Sequence, residues 1–140
     1  MQEISNNSLD KYGVKTFHQI MDNGELRFRL IGSDKSSYIR TESQNNKGWQ
    51  NSHYHENTNE LYLVGKGKIT VAIYEDGTIK YQNYVQNEFF AIEKGTIHNV
   101  YMYPDTILHT IKYGQISEND WISFPKLDAL LLNYVEIKTP

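Results

Sequence analysis

Residues 51–67 read NSHYHENTNELYLVGKG, with His53 and His55 at alternate positions and Glu60 just ahead of an apolar run that closes on Gly65 and Gly67. In a strand, residues i and i+2 point the same way, so His53 and His55 can present two imidazoles to one ion. Glu60 has no packing reason to stand at the start of an apolar strand. A buried carboxylate needs a partner, and a divalent cation would be one. Gly65 and Gly67 permit a tight turn with positive φ.

Downstream, EKGTIHNVY (93–101) carries His98 three residues after Gly95, entering a further strand. Beside a His-His-Glu group it is a third nitrogen ligand. Alone it would be an ordinary core histidine. Three imidazoles and a carboxylate suit a first-row divalent ion: Fe, Mn, Ni, Zn or Cu. An octahedral ion would keep open positions, as a catalytic metal requires.

Outward from this stretch the chain reads as a series of short strands. ELRFRLIG (25–32) alternates, with Leu26, Phe28 and Leu30 on one face and Arg27 and Arg29 on the other. DNG (22–24) marks a hairpin that pairs it with KTFHQIM (15–21). SSYIRTES (36–43) is another strand. Residues 60–85 read as strand, turn, strand, a hairpin at EDGT, and strand, and 88–104 and 106–114 supply two or three more. Short strands with Gly, Asn and Asp between them point to a sandwich or barrel. FPKLDALLLNYVEI (124–137) opens on Pro125 and clusters Leu127, Leu130, Leu131 and Tyr134, which predicts a short C-terminal helix. The first dozen residues predict an extra strand or arm.

A length of 140 residues predicts one domain. We divide it into an N-terminal arm (1–14), a β core (about 15–115) and a C-terminal segment (116–140). The formal net charge of −3 comes without a long basic run, which predicts neither nucleic acid nor a membrane surface as partner. With no cysteine there is no disulfide framework and no thiolate ligand or nucleophile. The polar N-terminus lacks the apolar stretch of a secretory leader, so a soluble, cytoplasmic protein is expected. No Ser-His-Asp arrangement is visible.

Residues 48–102 resemble the cupin superfamily. In its first motif, G-x5-H-x-H-x3,4-E-x6-G, the positions His53, His55, Glu60 and Gly67 match, and Gly48 lies one position off the first glycine. In its second motif, G-x5-P-x-G-x2-H-x3-N, Gly95 and His98 match, while Asn87, Glu93 and Met102 stand at the first glycine, the proline and the final asparagine. The resemblance implies an all-β fold, a small antiparallel β-barrel of jelly-roll type, holding one divalent transition metal on His53, His55, Glu60 and His98. The family often dimerises, so a homodimer is expected. Its chemistries include isomerases and epimerases, lyases, Fe(II) dioxygenases and non-catalytic binders of small ligands. The expectation here is a metal-dependent enzyme of isomerase or lyase type on a carbohydrate or carboxylic acid. A dioxygenase or a binding module is the alternative.

If Glu60 faces inward, alternation turns Tyr62 inward too and leaves Leu61 and Leu63 as an apolar outer face. In TILHTIKYG (106–114), Ile107, His109, Ile111 and Tyr113 share one face and Leu108, Thr110 and Lys112 the other. The expectation is that the first set faces in. That makes His109, Tyr62 and Tyr113 the candidate acid–base or substrate-binding groups. Arg27, Arg29 and Arg40 are expected on a solvated strand face, with an anionic substrate at the barrel mouth as their functional alternative.

Overall fold

The computed structural model describes residues 2–9, 12–116 and 120–134, with the backbone alone for 2–9. After β1 (Gln2–Leu9), the DNG turn joins β2 (Val14–Ile20) to β3 (Leu26–Gly32), and these pair antiparallel as expected. Gly24 takes φ 90°, which a side chain would oppose. Next come β4 (Ser37–Glu42), the two-residue β5 (Gly48–Trp49), β6 (His53–His55), β7 (Thr58–Lys66) and β8 (Lys68–Glu75). The hairpin at EDGT leads into β9 (Thr78–Val85), with Asp76 and Gly77 both at positive φ, as a type I′ turn demands. The chain continues through β10 (Phe89–Ile92), β11 (Ile97–Met102), β12 (Ile107–Gly114) and β13 (Trp121–Ser123). It then enters α1 (Pro125–Leu131), with Pro125 in the first turn. Residues 135–137 of the expected helix lie outside the described residues. The structure adds β13, which the sequence reading lacked.

The strands form two antiparallel sheets. The larger has seven strands in the order β1-β2-β3-β4-β12-β7-β10, and the smaller runs β13-β6-β11-β8-β9 with β5 beside β11. This corrects the expected barrel. Among the described residues no ladder joins an edge of one sheet to an edge of the other, so the layers form a sandwich held by side chains.

The core lies between the sheets. Tyr62 and Val64 of β7 and Leu108 of β12 meet Ile69, Val71, Val100 and Met102 of the smaller sheet, with Ile92 beside them. A second cluster lies outside the smaller sheet, where Leu127 and Leu131 of α1 cover Ala72. This helix also steadies the strand that carries the first two histidines. Asp128 accepts the Ser52 N–H at 2.9 Å, and the Ser52 carbonyl accepts the Phe124 N–H at 2.9 Å. Gly67 closes the β7–β8 turn at φ 83°, where an added Cβ would stand 2.9 Å from the Thr106 Cα.

Candidate metal centre

His53 on β6 and His98 on β11 are direct cross-strand partners, with ring centroids 4.5 Å apart. His55 follows on the same face, its ring centroid 5.0 Å from that of His53. Glu60 comes from β7 in the facing sheet, so the group bridges the two layers. One ligand atom from each of His53, Glu60 and His98 lies within 4.8 Å of the other two. His55 Nε2 is 3.1 Å from Glu60 Oε1.

The tautomers are set locally. His53 Nδ1 donates to the Asn51 carbonyl at 2.8 Å, and His98 Nδ1 donates to the Thr96 carbonyl at 2.9 Å. A carbonyl only accepts, so each Nδ1 carries a proton, an arrangement that in the neutral ring leaves the Nε2 lone pair for a ligand bond. His55 Nδ1 faces the Asp120 carboxylate at 3.8 Å. That carboxylate is fixed by the Asn57 and Thr58 amides at 2.9 Å each, and by the Thr58 hydroxyl.

Electrostatics leave the donors ready for a cation. Burial, then the neighbouring His98, pushes the His53 pKa down to about 3, so its ring is neutral. Burial alone would raise the Glu60 pKa, but His55 and His98 facing it outweigh burial and hold it well below the usual carboxylate value. Tyr62 is raised well above the ordinary tyrosine value, by burial and then by Glu60. It therefore keeps its proton and donates it to Glu60 Oε2 at 2.9 Å.

His55 Nε2 and Glu60 Oε1 are buried against each other at 3.1 Å, and neither has a partner in good hydrogen-bond geometry. Unsatisfied buried polar atoms are rare because each loses its hydration without compensation. The ligand atoms of His53, Glu60 and His98 lie close enough together to suit one first-row divalent metal, and His55, against Glu60, is a fourth donor beside them.

The group opens onto a cavity of about 90 Å³. Trp121 stacks on His53 at its wall, with centroids 5.2 Å apart and planes 24° from parallel. Tyr62 lines the cavity, but the structure does not bring His109 or Tyr113 to it. Thr110 and Lys112 line it from β12 instead, and Tyr113 stands 45% exposed on the opposite face. His109 bonds and stacks with Tyr38 there, Nδ1 to hydroxyl at 2.7 Å. The reason is register. Thr110 is opposite Tyr62 and Lys112 opposite Glu60, and direct cross-strand partners share a face. The arginines are corrected too: Arg27 and Arg29 line the cavity, while Arg40 lies over the Phe28 ring at 5.5 Å on the outer face. Asp120, Trp121, Thr110 and Lys112 are site residues missed from sequence, and for Asp120 the local signal is no more than an acidic side chain beside Trp121.

No family profile matches the chain, and no curated protein matches its sequence. Among solved structures, oxalate decarboxylase from Bacillus subtilis at pH 4.6 superposes with TM-score 0.63 and 13% identity, over 84% of this chain and 34% of that one. A structure concerning the Mn(II) centres of the same enzyme gives TM-score 0.62 and 14% identity over the same shares. KdgF from Halomonas sp. gives TM-score 0.57 and 15% identity, over 73% of this chain and 88% of that one. This chain thus spans about a third of the oxalate decarboxylase it matches. The fold it shares with them is the cupin fold.

Proposed function

We propose that this chain, a cupin in fold, is a metal-dependent enzyme of isomerase or lyase type acting on a small carbohydrate or carboxylic acid. The observation that carries the reading is the group of His53, Glu60 and His98, whose ligand atoms lie within 4.8 Å of one another at a cavity wall, with His55 Nε2 3.1 Å from Glu60 Oε1. The likeness to oxalate decarboxylase supports a lyase on a carboxylic acid, although that activity belongs to the neighbour. When bound, a divalent ion would supply Lewis acidity toward a substrate oxygen. The chain's own residues supply the rest. The Asn51 and Thr96 carbonyls aim two Nε2 atoms. Tyr62 holds Glu60 in place and is the protonated acid on the cavity wall. Trp121 shields the His53 ring.

Elemental analysis of the purified protein tests this. We expect about one first-row metal per chain, lost in a His53→Ala/His55→Ala double variant. Iron would favour oxygen chemistry, and manganese, zinc or nickel isomerase or lyase chemistry. No metal in the parent protein after reconstitution would remove the mechanism.

The same proposal makes the chain a homodimer through the outer face of the larger sheet. Leu63 and Phe89 are cross-strand partners there, at 41% and 70% exposure, with Ile111 and Tyr113 on the same surface. Sedimentation velocity should show a dimer, and Phe89→Glu a monomer. A monomeric parent protein would end the dimer claim.

A further inference from the structure

The cavity wall away from the histidines is cationic. Arg27 and Arg29 reach it from β3 and Lys112 from β12. Strand alternation and register put them there. Arg29, Ile39, Thr110 and Tyr62 form one row of cross-strand partners across the larger sheet, and Lys112 stands opposite Glu60. With strands about 4.8 Å apart, the arginine strand runs about 14 Å from the strand that carries Glu60. β4 and β12 run between them, and the cavity lies over their inner face, lined by Ile39, Thr41, Leu108 and Thr110.

This wall is under-compensated. Glu25 pairs with Arg27 at 2.9 Å, yet Arg27 Nε is buried without a hydrogen-bond partner. Arg29 Nε has a neutral partner, the Gln19 carboxamide, at 3.0 Å. No carboxylate of the described residues forms an ion pair with Arg29 or Lys112. Burial, then Arg27, pushes the Arg29 pKa down to about 10, and burial lowers that of Lys112 despite Glu60 nearby. Three positive side chains thus line the cavity with Glu60 as its carboxylate, Glu25 being engaged by Arg27 outside the lining, and a divalent ion would add two more positive charges. Buried charge of one sign is costly until an opposite charge joins it.

We infer that the cavity binds a compact organic dianion, a short dicarboxylate, with one oxyanion group at the His53–Glu60–His98 centre and the other on the Arg27–Arg29–Lys112 wall. This rests on the metal-centre reading of the preceding subsection and names its substrate class. Arginine forks suit planar carboxylates, which they grip through two parallel hydrogen bonds. A volume of about 90 Å³ is on the scale of a short dicarboxylate and far too small for nucleotides or large sugar phosphates.

Calorimetric titration of the metal-loaded protein with malonate, succinate, acetate and inorganic phosphate tests the inference. Malonate or succinate should bind at least about tenfold more tightly than acetate. Arg29→Met, of similar length and apolar, should abolish that preference at unchanged metal stoichiometry. Succinamate, the monoamide of succinate, should lose the same factor on the unmodified protein, which needs no variant to fold. Equal affinity for acetate and the dicarboxylates, or an undiminished preference in Arg29→Met, would overturn the inference. Tighter binding of phosphate than of either dicarboxylate would overturn the carboxylate class. Metal content, read in the same samples, separates the two claims. Full metal without an Arg29-dependent preference overturns the dianion alone. No metal overturns the metal centre and, with it, this two-ended binding mode.

Discussion

His53 is neutral because it is buried beside a second histidine, and this gives the protein a particular response to acid. Its pKa falls from an ordinary 6.5 to about 3 on folding. The unfolded chain therefore takes up a proton that the folded chain refuses. The stability tied to this group is present above pH 6.5 and is lost as pH falls from 6.5 toward 3. Glu60 acts in the same sense at lower pH. Its folded value lies below the ordinary 4.5, so its contribution is present above 4.5 and is lost as pH falls through the folded value. We expect the melting temperature of the metal-free protein to decline between pH 6.5 and 4.5, and His53→Ala to flatten that stretch. A decline of the same slope in the variant would refute the assignment. The histidine and carboxylate positions were legible in the sequence because strand alternation and the motif spacing are local. Asp120 was not, since its role depends on meeting Thr58, a residue 62 positions away.

β12 shows where element-level reading runs out. Both of its faces carry apolar residues, so composition cannot say which turns inward. The set chosen from sequence, Ile107, His109, Ile111 and Tyr113, is the more aromatic, yet it faces out. Leu108 is 1% exposed and Ile111 46% exposed. The deciding fact is pairing with β7, where a register irregularity between Ile107 and Leu108 sets Leu108 against Val64 and Thr110 against Tyr62. A one-residue slip would turn every side chain of the strand over, and no signal inside the strand fixes it. The same pairing brings Lys112 to the cavity and removes His109 from it. Leu108→Ala should cost about 2–5 kcal/mol in urea unfolding, because it opens a void in the core. Ile111→Ala, on the outer surface, should cost less than about 1 kcal/mol. Equal losses would mean that the strand face is assigned wrongly. The β2–β3 and β8–β9 hairpins, by contrast, were readable because DNG and EDGT fix their register through the turn itself.

At the scale of the molecule, the described residues form two sheets that share no hydrogen-bonded edge, and this makes the candidate metal centre a joint between them. The strand pattern allowed a sandwich or a barrel, because alternating strands look the same in both, and the family resemblance implied the barrel. Closure depends on edge pairing, which alternation does not encode. In the sandwich, His53, His55 and His98 stand on the smaller sheet and Glu60 on the larger one. An ion held by all four would bind the folded state and not the separated layers, and so would stabilise folding by mass action. At a free metal concentration 100 times the dissociation constant, that is about 2.7 kcal/mol, or about 5–10 °C in melting temperature for a chain of this size. Chelation should therefore lower the melting temperature of the metal-loaded protein by about that much, and re-addition of the ion should restore it. Glu60→Gln removes the charge contributed by the larger sheet while leaving the three imidazoles in place. It should bind metal more weakly and lose most of the thermal gain. If Glu60→Gln keeps the full gain, the ion sits on the smaller sheet alone and does not join the layers.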